Sequence, residues 1–394
     1  MNEHSDYEST SEIGQRPPQG LAMSQPYDLN SHLRSLIRIE ENDDIVFSFF
    51  LNIDEDEAIG NQVRRLGRKL EAGLQFVSIA HLFQVEAKIL DAIGQGIDST
   101  FRGIAVHARG GREPFIKIIA FHVPLKPNAI ADFSPNIVPL IELKDSYDRY
   151  IVLISTEEEA RIVEIVLGSV TREEWLNRPE LRKRVGREWT RQHYQNHRRD
   201  RDRRFVREKI ELLDRLMTQG GYTHLVLAGK VDRIAMIEKA LPSHLKQRVI
   251  DIRRLGVNDQ REKVVAETIK AFVEEETRQS EVHLERLRTC ILNGGGAAVG
   301  LDKCEAAVRA GVADLIILAA SEEEQTKRLR AYHHRTASGE FMTTEKRLED
   351  LIELAFRKDL PIEFVPRGSY LDDYDGCGVL LRYQAAKFSL NQFQ

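Results

Sequence analysis

The residues best suited to chemistry or binding fall in one stretch, residues 182–209, RKRVGREWTRQHYQNHRRDRDRRFVREK. It holds 12 Lys and Arg against 4 Asp and Glu, although the formal net charge of the chain is −5, so the rest is correspondingly acidic. Arginine forks pair with phosphate oxygens whatever the base sequence, so such a local excess points to a polyanion, with RNA or DNA the natural candidate. Aromatic and amide groups interleave with the charge and can stack on unpaired bases or bond to sugar and phosphate. The candidate RNA-contacting residues are Arg182, Lys183, Arg184, Arg187, Trp189, Arg191, Gln192, His193, Tyr194, Gln195, His197, Arg198, Arg199 and Arg201. The plainer alternative is a solvated, arginine-rich helix flank, which charge runs commonly form.

Other chemistry finds less support. Cys290, Cys304 and Cys377 are too few and too scattered for a disulfide framework or a zinc site, and read as buried thiols. His193 and His197 could share a helix face, but no carboxylate or thiol at ligand spacing completes a metal set, so neither metal nor cofactor is expected. Gly294 to Gly296 invite comparison with phosphate-binding loops. No GK[ST] follows and no strand immediately precedes, so a loop needing positive backbone angles is the better account. A two-metal nuclease would need clustered carboxylates, whereas the acids near the basic stretch are scattered among arginines.

The elements that must position the basic stretch come next. At 394 residues, 42% hydrophobic and 30% charged, the chain has the composition of a soluble protein of two or three domains. No apolar run approaches the roughly 20 residues needed to span a bilayer, and MNEHSDYESTSEIG carries no basic-then-apolar signal. A cytoplasmic protein without membrane contact is expected. Residues 1–30, with Pro17, Pro18 and Pro26, read as a mobile tail.

Residues 31–145 read as a first α/β domain: a short helix, the strand run IVFSFFLNI, helical periodicity through Val63, Leu66, Leu70, Leu74 and Val77, another helix, and strands near Phe101 to His107 and Phe115 to Phe121. Residues 146–281 read as a mixed-sheet, RNase H-like domain. YIVLIS and ARIVEIVLG are joined by the turn Thr156 to Glu159, and the basic excursion follows at once from a sheet edge. A helix then carries the apolar stripe Phe205, Val206, Ile210, Leu213, Leu216 and Met217. Strand THLVLAG, helix Arg233 to Leu241, strand RVIDI and a long helix from Asp259 complete the domain. Residues 282–394 read as a compact αβα sandwich opening with a helix, HLERLRTCIL, and carrying a charged insertion between Glu322 and Thr344.

The order and local sequences of the second and third domains resemble the archaeal and eukaryotic class-one release factors and Pelota, and within that group the bacterial relatives that include the Balon-type hibernation factors. YQNHRRDRDRRFVREKIELLDRL stands in the place of the family's arginine-rich helix. GLDKCEAAVRAGVADLIIL and IEFVPRGSYLDDYDGCGVLLRY resemble segments of its last domain. The likeness covers Tyr150 to Tyr383; the first domain is similar only in its general α/β pattern. It implies a ribosome-binding monomer that occupies the vacant aminoacyl-tRNA site and touches 16S and 23S rRNA. The first domain would face the decoding centre and the basic element the peptidyl transferase centre. It also implies a translational GTPase partner for the last domain, in a bacterium elongation factor Tu.

The departures are as informative. Release factors carry Gly-Gly-Gln at the tip of the loop before this helix, where glycines let the backbone pass RNA and the glutamine positions a water. Here Gly186 is followed by Arg187, Glu188 and Trp189, and no Gly-Gly-Gln occurs anywhere. Gln192 and Gln195 are the only stand-ins, and an amide supplies neither a nucleophile nor a strong base. The expectation is a binding factor with no catalytic residue that blocks tRNA entry; the alternative is a rescue factor hydrolysing peptidyl-tRNA through Gln192 or Gln195. The Asn-Ile-Lys-Ser and Tyr-x-Cys-x-x-x-Phe signatures of stop-codon reading are also missing from the first domain.

Overall fold

The structure, a computed structural model, describes residues 29–178, 191–320 and 344–382, with the backbone path alone for 191–198 and 344–345. The expected tail, apart from Leu29 and Asn30, and the expected insertion between Glu322 and Thr344, apart from Thr344 itself, lie outside the described residues. Three sheets organise what is described.

The first body contains α1 (Leu29–Ile37), β1 (Val46–Asn52), α2 (Ile59–Glu71), α3 (Phe76–Gly94), β2 (Gly103–Arg109), β3 (Phe115–Phe121), β4 (Asn128–Asp132) and α4 (Val138–Ser146). The strands are antiparallel in the order β3-β2-β1-β4. Alternation sends Phe47, Phe49 and Leu51 to one face, where they meet Val63, Leu66 and Leu70 of α2 and Leu82, Val85 and Ile89 of α3. Phe50 turns to the other face, onto Leu33, Leu36, Leu140 and Ile141 of α1 and α4.

Two differences from the sequence reading arise here. The periodicity through Val77 does not belong to one helix: α2 stops at Glu71, before Gly73, and Val77 faces solvent on α3. The stretch after Phe121, punctuated by Pro124, Pro127, Pro135 and Pro139, also holds β4 and α4, the latter with Pro139 in its first turn, where a missing N–H costs nothing.

The second body contains β5 (Arg149–Ser155), β6 (Glu159–Val166), β7 (Ser169–Asn177), α5 (Arg191–Gly220), β8 (His224–Gly229), α6 (Val231–Ala240), α7 (Ser243–Lys246), β9 (Val249–Arg253) and α8 (Arg261–Leu292). Its sheet runs β7-β6-β5-β8-β9, an antiparallel meander extended by two parallel strands, as the mixed-sheet, RNase H-like reading requires. α5 and α6 cover one face and α8 the other. β7 was not foreseen. Its sequence, SVTREEWLN, is largely polar because it is the edge strand and is mostly exposed. The chain therefore leaves for the basic excursion from β7 rather than directly from β6, still at the sheet edge.

The third body contains β10 (Ala297–Val299), α9 (Leu301–Arg309), β11 (Ala313–Ala319), α10 (Thr344–Arg357), β12 (Ile362–Val365) and β13 (Cys377–Leu381), with sheet order β10-β13-β11-β12. The helix expected to open this body at His283 is the C-terminal part of α8, an uninterrupted 32-residue helix. Phe272 of α8 packs under the second sheet and Leu287 under the third. The glycine loop after α8 uses positive φ at Gly294 and Gly296, as its composition suggested. Cys304 and Cys377 are buried, Cys290 is half-buried, and all three are free thiols. No described helix is long and apolar enough to cross a membrane.

The first and third bodies share one apolar cluster, in which α1, α4 and β3 meet α9, α10 and β11. Lys346 pairs with Asp132 at 3.1 Å, the Asn136 amide donates to Glu349 at 2.6 Å, and the Phe364 N–H donates to Asp145 at 2.9 Å. Beside these contacts is a cavity of about 320 Å³ lined by Glu142 and Asp145 of α4, Val273 and Glu276 of α8, and Phe364 and Val365 of β12.

Burial, and next the charge of Glu363, push Asp145 up to about 8. The same two causes, in the same order, push Glu276 up to about 8. Both carboxyls ordinarily ionise near 4, so between about pH 4 and 8 the folded chain holds protons that the unfolded chain releases. Their contribution is full at the acid end and lost as pH rises through 8. His107, fully buried on β2, runs the other way: burial lowers it to about 3, so its contribution is lost as pH falls below its ordinary 6.5. Thermal unfolding at about pH 6 and about pH 9 should show the wild type less stable at the alkaline end, and Asp145→Asn with Glu276→Gln should flatten that loss.

Candidate nucleic-acid interface

Of the sequence-predicted site residues, the structure describes the side chains of Arg199 and Arg201. Arg182, Lys183, Arg184, Arg187 and Trp189 lie outside the described residues, and for Arg191, Gln192, His193, Tyr194, Gln195, His197 and Arg198 the structure gives their place on α5 without their side chains. Arg199 is exposed, whereas Arg201 is only a fifth exposed and pairs with Glu158 at 3.7 Å.

What the structure resolves is how the excursion is anchored. α5 lies on the sheet through Ile210, Leu213, Leu216 and Met217, which pack with β5, β6 and β8 in the stripe read from the sequence, and Phe205 before them is buried as well. Burying each of these large side chains contributes about 1.5–3 kcal/mol. Arg199, Arg203 and Arg207 follow one another at i, i+4 and i+8 on an exposed stripe, with Arg204 exposed beside them. These four form no ion pair among the described residues, so their guanidinium groups are available to an anion.

Two other cations point inward instead. Arg178, the last described residue before the excursion, is buried, with its guanidinium 2.8 Å from Glu158, 3.4 Å from Glu157 and hydrogen-bonded to Asp202 on α5. Its backbone N–H also donates to the Glu158 carbonyl at 2.7 Å. Lys209 is buried, donating to the Ser155 hydroxyl at 2.7 Å and the Thr156 carbonyl at 3.1 Å, with Nζ 3.8 Å from the Phe205 ring centre. Burial first, then the charges of Arg233 and Arg178, lower Lys209 to about 8.

The hairpin turn between β5 and β6 thus holds both ends of the excursion: Arg178 where the chain leaves, and Arg201, Asp202 and Lys209 where it returns. Gly229, at the end of β8, makes the close approach beside Ser155 possible. A Cβ there would sit 2.3 Å from the Ser155 carbonyl oxygen, and its φ of +142° suits glycine.

Sequence reasoning missed the anchoring roles of Arg178 and Lys209. The arginines between the apolar positions read from the sequence as the other face of the helix, and Arg203, Arg204 and Arg207 are exposed there, although they were not among the candidate contacts. Among the described residues no cluster of three His, Cys, Asp or Glu could hold a metal ion.

The likeness to known proteins centres on the body that holds this mixed sheet and its arginine-rich helix. In particular, residues 135–273, most of the second body, match the model of the bacterial archaeo-eukaryotic release factor family 10. A comparison with curated proteins gives no match. Among solved structures, the chain is similar to the S. cerevisiae translation termination-like factor Dom34, at 9% identity over 90% of this chain and 92% of that one, with a TM-score of 0.39. It is also similar to a ribosome-bound archaeal Pelota (13%; 90% and 94%; 0.38) and to the Pelota of Archaeoglobus fulgidus (14%; 71% and 79%; 0.32). The family match concerns residues 135–273 alone, and these loose superpositions add nothing to it.

Replacing Arg178 by Ala strands Asp202 and Glu158 at the base of the excursion. Urea unfolding should record a loss on the order of 3 kcal/mol, the cost of breaking a buried pair from one side. Arg203→Gln, on the outward face, should stay within about 0.5 kcal/mol of wild type.

Proposed function

We propose that this protein is a ribosome-binding translation factor that acts by occupancy. The observation that carries the reading is the outward stripe Arg199, Arg203 and Arg207, exposed and without an ion pair among the described residues, on a helix anchored at its base in a domain matching a release-factor family. Such a helix presents positive charge to RNA without distorting its own domain. The bound form would fill the vacant aminoacyl-tRNA site, with α5 and the excursion toward the peptidyl transferase centre and the first body toward the decoding centre.

Blocking tRNA entry then needs no bond to break, which suits a chain without Gly-Gly-Gln. The third body would dock a translational GTPase, elongation factor Tu in a bacterium, and the protein would serve as a hibernation factor on idle ribosomes. The candidate contacts remain the residues named from the sequence except Arg201, which Glu158 holds, now joined by Arg203, Arg204 and Arg207.

Co-sedimentation of the full chain with vacant ribosomes should show binding that weakens steeply as salt rises, because each neutralised phosphate releases counterions. Arg199→Gln with Arg203→Gln and Arg207→Gln should weaken binding and reduce the salt slope by about 3. Peptidyl-tRNA incubated with the same complexes should remain intact. Ester cleavage lost on Gln192→Ala or Gln195→Ala would instead make the protein a rescue hydrolase, and an absence of ribosome binding would sink both readings.

A further inference from the structure

The first body carries a surface that its own fold does not explain. On α3, Phe76 is 87% exposed and Phe83 51% exposed, and Ala80 and Ala87, at i+4 and i+11 from Phe76, extend the same exposed stripe. The face of α3 that packs on the sheet uses Leu82, Val85 and Ile89, so the phenylalanines are surplus to the core. Arg64, Arg68 and Lys69 on α2 and Lys88 on α3 are exposed and make no ion pair among the described residues. The two helices approach closely here. A Cβ at Gly67 would overlap the Glu86 carboxyl, so the cations of α2 border the aromatic stripe of α3.

The chain itself contains a segment of the opposite character. Residues 3–13, EHSDYESTSEI, hold Glu3, Asp6, Glu8 and Glu12, no Lys or Arg, and the apolar Tyr7 and Ile13. Carboxylates and apolar side chains thus answer the cations and rings of the hairpin. The segment lies outside the described residues, and the chain that follows it enters the first body at Leu29. The span from Ile13 to Leu29 reaches at most about 50 Å. α1 and the hairpin lie on opposite faces of one four-stranded sheet, which is about 15 Å wide at the usual strand spacing, so the segment can pass the sheet edge.

We infer that residues 3–13 dock on the outward face of the α2–α3 hairpin of their own chain, with the carboxylates against Arg64, Arg68, Lys69 and Lys88 and with Tyr7 and Ile13 against Phe76 and Phe83. Each exposed ion pair adds little by itself. The tether compensates, since a linked segment meets its site at an effective concentration on the order of millimolar. α5 offers cations too, but it belongs to another body, and its described part exposes no large apolar side chain. The face is therefore self-covering, and any other ligand has to displace the segment first. This goes beyond the ribosome-binding reading and stands without it.

The test uses the full chain, treated with a zero-length carbodiimide that joins carboxylates to lysine amines, with peptide mapping on an equal mixture of light and nitrogen-labelled heavy chains. Links from residues 3–12 to Lys69 and Lys88 are expected, each within one isotope. Arg64→Gln with Arg68→Gln leaves every reacting group in place and should lower their yield about fivefold, as should Phe76→Ala with Phe83→Ala. Hydroxyl-radical footprinting reads the other side of the contact. Glu3→Gln, Asp6→Asn, Glu8→Gln and Glu12→Gln together should raise oxidation of Phe76 and Phe83, while Trp175, exposed on β7, stays unchanged. The substituted hairpin side chains are exposed, so unchanged thermal melting serves as their folding control.

Links spread evenly over the lysines of all three bodies would overturn the inference, and so would phenylalanine oxidation indifferent to the charges of the segment. Links between light and heavy chains would assign the face to the segment of a second copy and overturn docking within one chain. Neither method reads ribosome binding, so the proposed function stands or falls separately.

Discussion

A helix this rich in arginine can be held to a protein only if its charge is kept off the surface that anchors it. α5 meets that constraint by dividing its circumference. Apolar side chains from Phe205 to Met217 take one stripe, guanidinium groups at Arg199, Arg203 and Arg207 take another, and Lys209, buried on the inner side, is held by hydrogen bonds and a ring rather than by a direct carboxylate contact. Its ammonium finds a hydroxyl, a carbonyl and an aromatic face, and the cost of burying it appears as a lowered proton affinity. The polar end of the sheet supplies all of this from one hairpin turn, so the position of the excursion depends on that turn.

The turn also sets how far the basic element can reach. From Arg191 to Asp200 the helix runs ahead of its first anchoring residue, Arg201, for about 15 Å at the usual rise per residue. An arm of that length, stiffened by its own backbone hydrogen bonds, can present charge at a distance from the domain without the entropy cost that a flexible loop would pay on binding.

Much of this was legible in the sequence, and the failures have a common physical origin. β5, β6 and β8 announced themselves because they are buried on both faces and read as apolar runs, and the α5 stripe showed in its spacing. β7 did not, because an edge strand exposed to solvent carries the residues of a loop. α4 hid behind Pro139, which marks a break in most contexts but is tolerated in a first helical turn. α8 was read as two helices because its inward side chains serve two different sheets, so its apolar pattern changes partway along. The anchors were the hardest to see. Nothing in the letters separates Arg178 and Lys209 from the outward arginines until Ser155, Glu158 and Asp202 are known to lie within reach.

The same inability to read direction from composition bears on the whole molecule. Arginine counts alone cannot separate a surface patch from a structural network, since each guanidinium in the network is held by carboxylates and is lost to any partner. Arg178, Arg201 and Arg233 are spent in this way on Glu157, Glu158 and Asp202. What remains on α5 faces outward from a chain that is acidic elsewhere, and that contrast narrows where a polyanion can approach. Repulsion from the acidic bulk disfavours other orientations while the arm attracts, so orientation is selected before contact, and selection of that kind weakens with salt over the same range as binding itself.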